Sequence, residues 1–195
     1  MKDSLKGNQF ICIYFYNKVK PIKKIVIIGG ESTGKSTLCK QLAAYYKTAW
    51  VPEYAREYLE QLTRPYGKED LLKIAKGQLK LEKRLESNAK NILFCDTDLF
   101  VIKVWSEHKY GVCEPYILSK IEKQKYDAYI VTSPDMPWVY DRLREHPDQK
   151  RREYFFEKYI NLVKGQGVPF IVVKGIEEER LKTAISFLEN EMELF

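Results

Sequence analysis

The stretch "KKIVIIGGESTGKSTL", Lys23 to Leu38, limits what this chain can fold into more than any other. Inside it, "GGESTGKS" fits G-x-x-x-x-G-K-[ST] through Gly29, Gly34, Lys35 and Ser36. An apolar segment, "KIVII", precedes the match, and "KSTLCKQLAAYY" follows with the character of a helix. That context gives the pattern physical meaning. Glycines let the loop wrap an anion so that backbone N–H groups point inward, at a helix N-terminus where negative charge is favoured. The expected nucleotide-binding set is Gly29, Gly30, Glu31, Ser32, Thr33, Gly34, Lys35, Ser36 and Thr37. Lys35 is expected to reach the β- and γ-phosphates of ATP, and Ser36 to hold Mg²⁺. The loop alone serves a kinase, a switch, a motor subunit or a nucleic-acid enzyme equally well.

Around the loop, apolar runs alternate with amphipathic stretches, the signature of βαβ units about a mainly parallel sheet. Strands are expected near Lys24–Ile28, Ala49–Val51, Asn91–Cys95, Ala128–Thr132 and Pro169–Val173. The third and fifth, "NILFC" and "PFIVV", are almost uniformly apolar, as strands covered on both faces are. Residues 69–90 carry Leu71, Ile74, Gln78, Leu81, Leu85 and Ala89 at helical steps, and 176–193 carry Ile176, Leu181, Ile185 and Leu188. With 195 residues and no repeat or linker, the reading is one α/β P-loop domain over 21–195. Residues 1–20 form a leader of unassigned role.

Composition excludes a few classes. The longest apolar run near the start, "FICIYFY" (Phe10 to Tyr16), falls far short of the ~20 residues that cross a bilayer, so no membrane partner is expected. Cys12, Cys39, Cys95 and Cys113 make no CxxC pair and no zinc spacing, which suits a reduced, cytoplasmic chain. The net charge of +6 suits a polyanionic ligand, whether a nucleotide or a nucleic acid.

Carboxylates at the strand ends carry the next constraint. "NILFCD" ends in Asp96, the Walker B pattern in which an Asp orients Mg²⁺, and Asp98 follows two residues later as a ligand or a helix cap. Ligands in such sheets gather at the carboxyl ends of strands. The second strand runs into "VPEYARE", where Glu53, Tyr54 and Arg56 lie just beyond its end. A carboxylate there can take a proton from a substrate hydroxyl, and a guanidinium can hold a phosphate. After the fourth strand comes "TSPDMPWVYDRLREHPDQKRRE". Its prolines end the strand, Trp138 is a core residue or a ligand platform, and Arg142 and Arg144 are expected to close over the transferring phosphate. Asp141 to Glu153 reads as a basic surface loop or lid, with Arg151 and Arg152 as a solvated charge run.

Together "GGESTGKSTL", "EYARE", "DTD" and "PWVYDRLR" resemble, in order and separation, the ribosylnicotinamide kinase domain of the NadR family and the stand-alone P-loop proteins grouped with it as AAA-type ATPases. The resemblance covers Lys23 to the C-terminus. It implies a nucleoside-monophosphate-kinase-like sheet of order 2-3-1-4-5, with helices on both faces and an arginine-rich lid. It also implies transfer of the ATP γ-phosphate to the 5′-hydroxyl of nicotinamide riboside. By position it assigns Lys35, Asp96, Arg142 and Arg144 to catalysis and Ser36 and Asp96 to the metal. Glu53, Tyr54, Arg56, Asp98 and Trp138 fall on the nucleoside side, with the base left open among Glu53, Asp96 and Asp98. Two positions depart from the bifunctional members, which carry an aromatic where this chain has Pro52 and a glycine where it has Arg142.

Two other readings remain at this point. A regulatory nucleotide-binding module fits the loop, although no N-K-x-D motif follows the later strands to make it a GTPase. A nucleic-acid 5′-end kinase fits the charge, but no aromatic-and-basic strand face supports it, so nucleic acid is not the expected partner.

Overall fold

The structure is a computed structural model and describes residues 21–192. The 1–20 leader, with its apolar stretch and Cys12, lies outside the described residues. The chain runs β1 (Lys23–Gly29), α1 (Lys35–Tyr45), β2 (Trp50–Val51), α2 (Tyr54–Glu60), α3 (Lys68–Glu86) and β3 (Ile92–Asp96). It continues with α4 (Leu99–Tyr110), α5 (Pro115–Ile121), β4 (Ala128–Thr132), α6 (Gln149–Lys164), β5 (Phe170–Val173) and α7 (Glu177–Glu191). All strand pairs are parallel, in the order β2-β3-β1-β4-β5. The strand order is the expected one.

Side chains alternate across a strand, so β1 supplies two cores. Val26 and Ile28 face a layer that includes Phe155, Tyr159 and Val163 of α6 and Val104 of α4. Ile25 and Ile27 face Leu38 and Leu42 of α1 and Ala184 and Leu188 of α7. Burying each such side chain contributes about 1.5–3 kcal/mol, so a helix layer on each face fixes the sheet. A third cluster joins α2 and α3 to α4 and α5 through Ala55, Leu71, Ile74, Leu99 and Ile117. The register places Ile27 beside Asp96 and Gly29 beside Thr132. The phosphate loop therefore leaves the sheet between the ends of β3 and β4.

Three local expectations change. β3 is buried throughout, but β5 is the sheet edge, and only Val173 of its four residues is buried. Apolar letters alone do not separate an edge strand from a central one. On α7 the buried face is Arg180, Ala184 and Leu188, while Ile176 precedes the helix and is 65% exposed. Arg180 tolerates burial because its guanidinium meets the carbonyls of Gly175 (2.8 Å), Thr33 (2.7 Å) and Ser133 (3.1 Å) and the Asp135 carboxylate. The basic run splits at Asp148, whose carboxylate caps α6 by accepting from the Arg151 N–H (3.0 Å). Residues 149–153 are thus helix, and only 133–148 form the lid segment.

Cys39, Cys95 and Cys113 are free and buried. Among the described residues no helix is long and apolar enough to cross a membrane.

Candidate active site

The loop after β1 is held by its own backbone. Gly34 sits at φ 75°, in the left-handed region that favours glycine, and starts α1 without a side-chain cap. The N–H groups of the first turn are left for a ligand. Gly29 passes so close to β4 that a Cβ there would lie 2.2 Å from the Thr132 hydroxyl. The Thr33 hydroxyl donates to the Gly30 carbonyl (2.8 Å) and lies 2.7 Å from that of Thr132. Lys35 bends back so that its ammonium donates to the Gly30 carbonyl (2.8 Å). Gly29 and Glu31 to Thr37 line one side of a cavity.

The four acidic and aromatic candidates from β2, α2 and β3 separate in the fold. Asp96 is buried at the end of β3, and its Oδ1 has no hydrogen-bond partner among the described residues. Burial pushes its carboxyl up, while Lys35 and Ser36 beside it pull the other way. Thr97 takes φ 72°, a left-handed turn that costs a β-branched residue about 1–3 kcal/mol and points Asp98 elsewhere. Asp98 caps α4 by accepting from the Phe100 N–H (2.9 Å) and also accepts from the Tyr129 hydroxyl (3.0 Å). Burial raises it to about 7, and it does not line the cavity. Tyr54 is also placed elsewhere. Its ring fills the space above Gly77 of α3, where an added Cβ would lie 1.9 Å away, and its N–H donates to Gln78 (2.7 Å).

Glu53 is different. It occupies the cap position of α2 without using its carboxylate as a cap, and the residue lines the same cavity as the loop. Burial raises its pKa, with Lys35 and Arg56 opposing and Asp96 and Glu31 reinforcing the shift. Arg56 lines the same cavity and pairs with Asp141 of the lid (2.9 Å).

The lid is stitched to two variable positions of the phosphate loop. The Glu31 carboxylate accepts from the N–H groups of Glu145 (2.9 Å) and His146 (3.0 Å). The Ser32 hydroxyl accepts from the Val139 N–H (2.9 Å) and from Arg144 (3.3 Å) and donates to the Pro137 carbonyl (3.3 Å). Arg144 lines the cavity, whereas Arg142 is exposed and reaches the Glu60 carbonyl (3.5 Å) beside a separate recess. Of the two expected lid arginines, one faces the loop. Arg152, expected on a solvated face, is 4% exposed and donates to the carbonyls of Ser32 (3.3 Å) and Met136 (2.8 Å). Trp138 does not line the cavity either; it stands edge-on to Tyr140 at 6.2 Å, and its Nε1 is buried without a partner among the described residues.

The rest of the wall was not visible in the sequence reading. Leu59 of α2, Val101 and Trp105 of α4, Leu143 of the lid and Tyr159 of α6 make it largely apolar. Val101 and Trp105 stand four apart on the helix that begins after "DTD", so helical spacing from that motif was a usable signal. Tyr159 had none. The oxygen donors near the loop, the Ser36 hydroxyl and the unpartnered Asp96 Oδ1, suit a hard cation such as Mg²⁺. Among the described residues no group of three or more His, Cys, Asp and Glu forms a metal cage. The cation would then take its remaining ligands from phosphate and water.

A family model described as AAA domain matches residues 24–180. The trifunctional NAD biosynthesis/regulator protein NadR of Salmonella typhimurium is 29% identical over 169 residues, covering 83% of this chain and 41% of NadR. The chain thus spans about two fifths of the length of the curated relatives it matches. A crystal structure of NadR protein in complex with NR superposes with a TM-score of 0.74 at 22% identity, covering 89% of this chain and 51% of that one. The deoxyadenosine kinase from M. mycoides with bound dCTP gives 0.56 at 17%, covering 86% and 99%. The fold is therefore one shared with nucleoside kinases.

Proposed function

The chain belongs to the AAA domain family, and from that premise we propose that it is an ATP-dependent kinase of a small nucleoside. The reaction is transfer of the γ-phosphate to the 5′-hydroxyl of nicotinamide riboside, giving nicotinamide mononucleotide and ADP. One observation carries this reading. Glu53, whose carboxylate caps nothing, shares one cavity with the phosphate loop and with Leu59, Val101, Trp105, Leu143 and Tyr159. A nucleotide switch has no need of such a second compartment. The similarity to NadR, one structure of which is in complex with NR, supports nicotinamide riboside as the acceptor. The indole of Trp105 on the same lining also suits a cationic pyridinium ring.

The residues divide the work as follows. Loop N–H groups and Lys35 hold the β- and γ-phosphates, so Lys35 exchanges the Gly30 carbonyl for phosphate oxygens. Ser36 and Asp96 would hold Mg²⁺, which offsets phosphate charge when bound. Glu53 accepts a hydrogen bond from the acceptor hydroxyl and takes its proton as the new O–P bond forms and the bond from Pγ to the β-phosphate oxygen breaks. Its raised pKa makes it a stronger base than an exposed glutamate, while Lys35 and Arg56 keep the ionised form accessible. Arg144 lies where charge spreads over the transferring group, and the lid keeps water out. The free, buried cysteines suit work in the cytoplasm.

A screen of nucleosides with ATP tests the reading, with Lys35→Ala as the control. Nicotinamide riboside is expected to give the highest kcat/KM. Turnover that ignores the nucleoside added, or none with any of them, would sink it.

A further inference from the structure

Tyr159 stands out among the buried tyrosines of its core. Tyr126 donates its hydroxyl to Glu82 (2.8 Å) and Tyr129 to Asp98 (3.0 Å), as buried hydroxyls normally find partners. Tyr159 is 2% exposed on the inner face of α6, yet its hydroxyl has no hydrogen-bond partner among the described residues. It is not sealed in the core either, because the residue lines the cavity that holds Glu53 and the phosphate loop. A phenylalanine would pack the same space, so packing alone does not account for a hydroxyl that has no protein partner on the wall of an open cavity.

We propose that Tyr159 is a specificity-determining residue, whose hydroxyl completes its hydrogen bonding only when it donates to an oxygen of the nucleoside acceptor. This rests on the kinase reading given above. The phenol is suited to the role. Burial and the charges of Glu53, Glu31 and Asp98 all hold it protonated, so it is a neutral donor among carboxylates. Glu53 can only accept when ionised, and Tyr159 supplies the complementary donor on the same wall. An acceptor that offers both a hydroxyl to Glu53 and an oxygen to Tyr159 satisfies the pair; a ribonucleoside does, and an apolar alcohol does not. A ligand that displaces water from this hydroxyl without offering an oxygen in its place is rejected.

The test is Tyr159→Phe, which removes one oxygen and keeps the ring. The expected result is a rise of about tenfold in KM for nicotinamide riboside, with the KM for ATP unchanged. The melting temperature of the nucleotide-free protein should stay level or rise, since no bond of the free protein is lost. A merely structural tyrosine would show the opposite pattern, a lower melting temperature and both KM values moved together. That result, or an unchanged KM for the nucleoside, overturns the assignment while leaving the kinase reading intact. Wild-type protein inert toward nicotinamide riboside and every other nucleoside overturns both.

Discussion

The two sides of the cavity are built by different means. The donor side is one continuous stretch, residues 29–37, whose geometry comes from backbone: a left-handed Gly34, a glycine pressed against Thr132, and a lysine folded onto its own loop. The acceptor side is assembled from side chains on α2, α4, α6 and the lid, contributed by residues as far apart as Glu53 and Tyr159. Backbone N–H groups recognise any phosphate tail, so that half is generic. A wall of side chains can be altered one residue at a time, so in the proposed reaction that half would set the substrate. The lid couples them, because Glu31 and Ser32 of the donor loop hold its backbone.

If the halves are separable, substitutions should sort by side. Lys35→Ala should lower kcat on the order of 10³-fold, with nicotinamide riboside binding, read by calorimetry, barely changed. Glu53→Gln should cost about 10²-fold in kcat while the affinity for ATP holds. A loss of ATP binding in that variant would break the division. The acid limb of the wild-type rate profile should also lie above the ordinary glutamate range, because burial raises Glu53, and it should vanish in Glu53→Gln. Glu31→Ala should release the lid, read as faster tryptic cleavage after Arg142 and Arg144 in the nucleotide-free protein. Cleavage at the wild-type rate would remove the proposed coupling.

Asp98 offers a test outside both halves. Its folded pKa is raised from 3.8 to about 7 by burial, so its contribution to stability is fully present below pH ~4 and is lost as pH rises through about 7. Asparagine can still accept from the Phe100 N–H. Asp98→Asn should therefore flatten that part of the stability–pH curve and leave turnover within about twofold. Arg142→Ala should have the smallest effect, since the side chain is exposed and reaches only the Glu60 carbonyl (3.5 Å).

What the sequence revealed follows the same division. The strand order, the phosphate loop and the place of Asp96 were legible because each depends on local pattern: apolar runs, glycine spacing and a carboxylate at a strand end. Glu53 and Arg56 were legible through their nearness to β2. Asp98 and Tyr54 were assigned to the site by sequence proximity, but the left-handed turn at Thr97 and the gap over Gly77 direct them elsewhere. Trp105 is reachable by helical spacing from "DTD", but Tyr159 enters the wall through tertiary packing alone, and a core aromatic and a site aromatic have the same sequence signature. Arg152 reads as solvated in the sequence because a basic run gives no sign of which member turns inward.

If the donor and acceptor compartments work together, the stoichiometry of ADP and nicotinamide mononucleotide reveals it. With ATP and nicotinamide riboside present, the account predicts one mononucleotide per ADP and only trace ADP when the riboside is left out. ADP released at the same rate without the riboside, with no phosphorylated product, would contradict it.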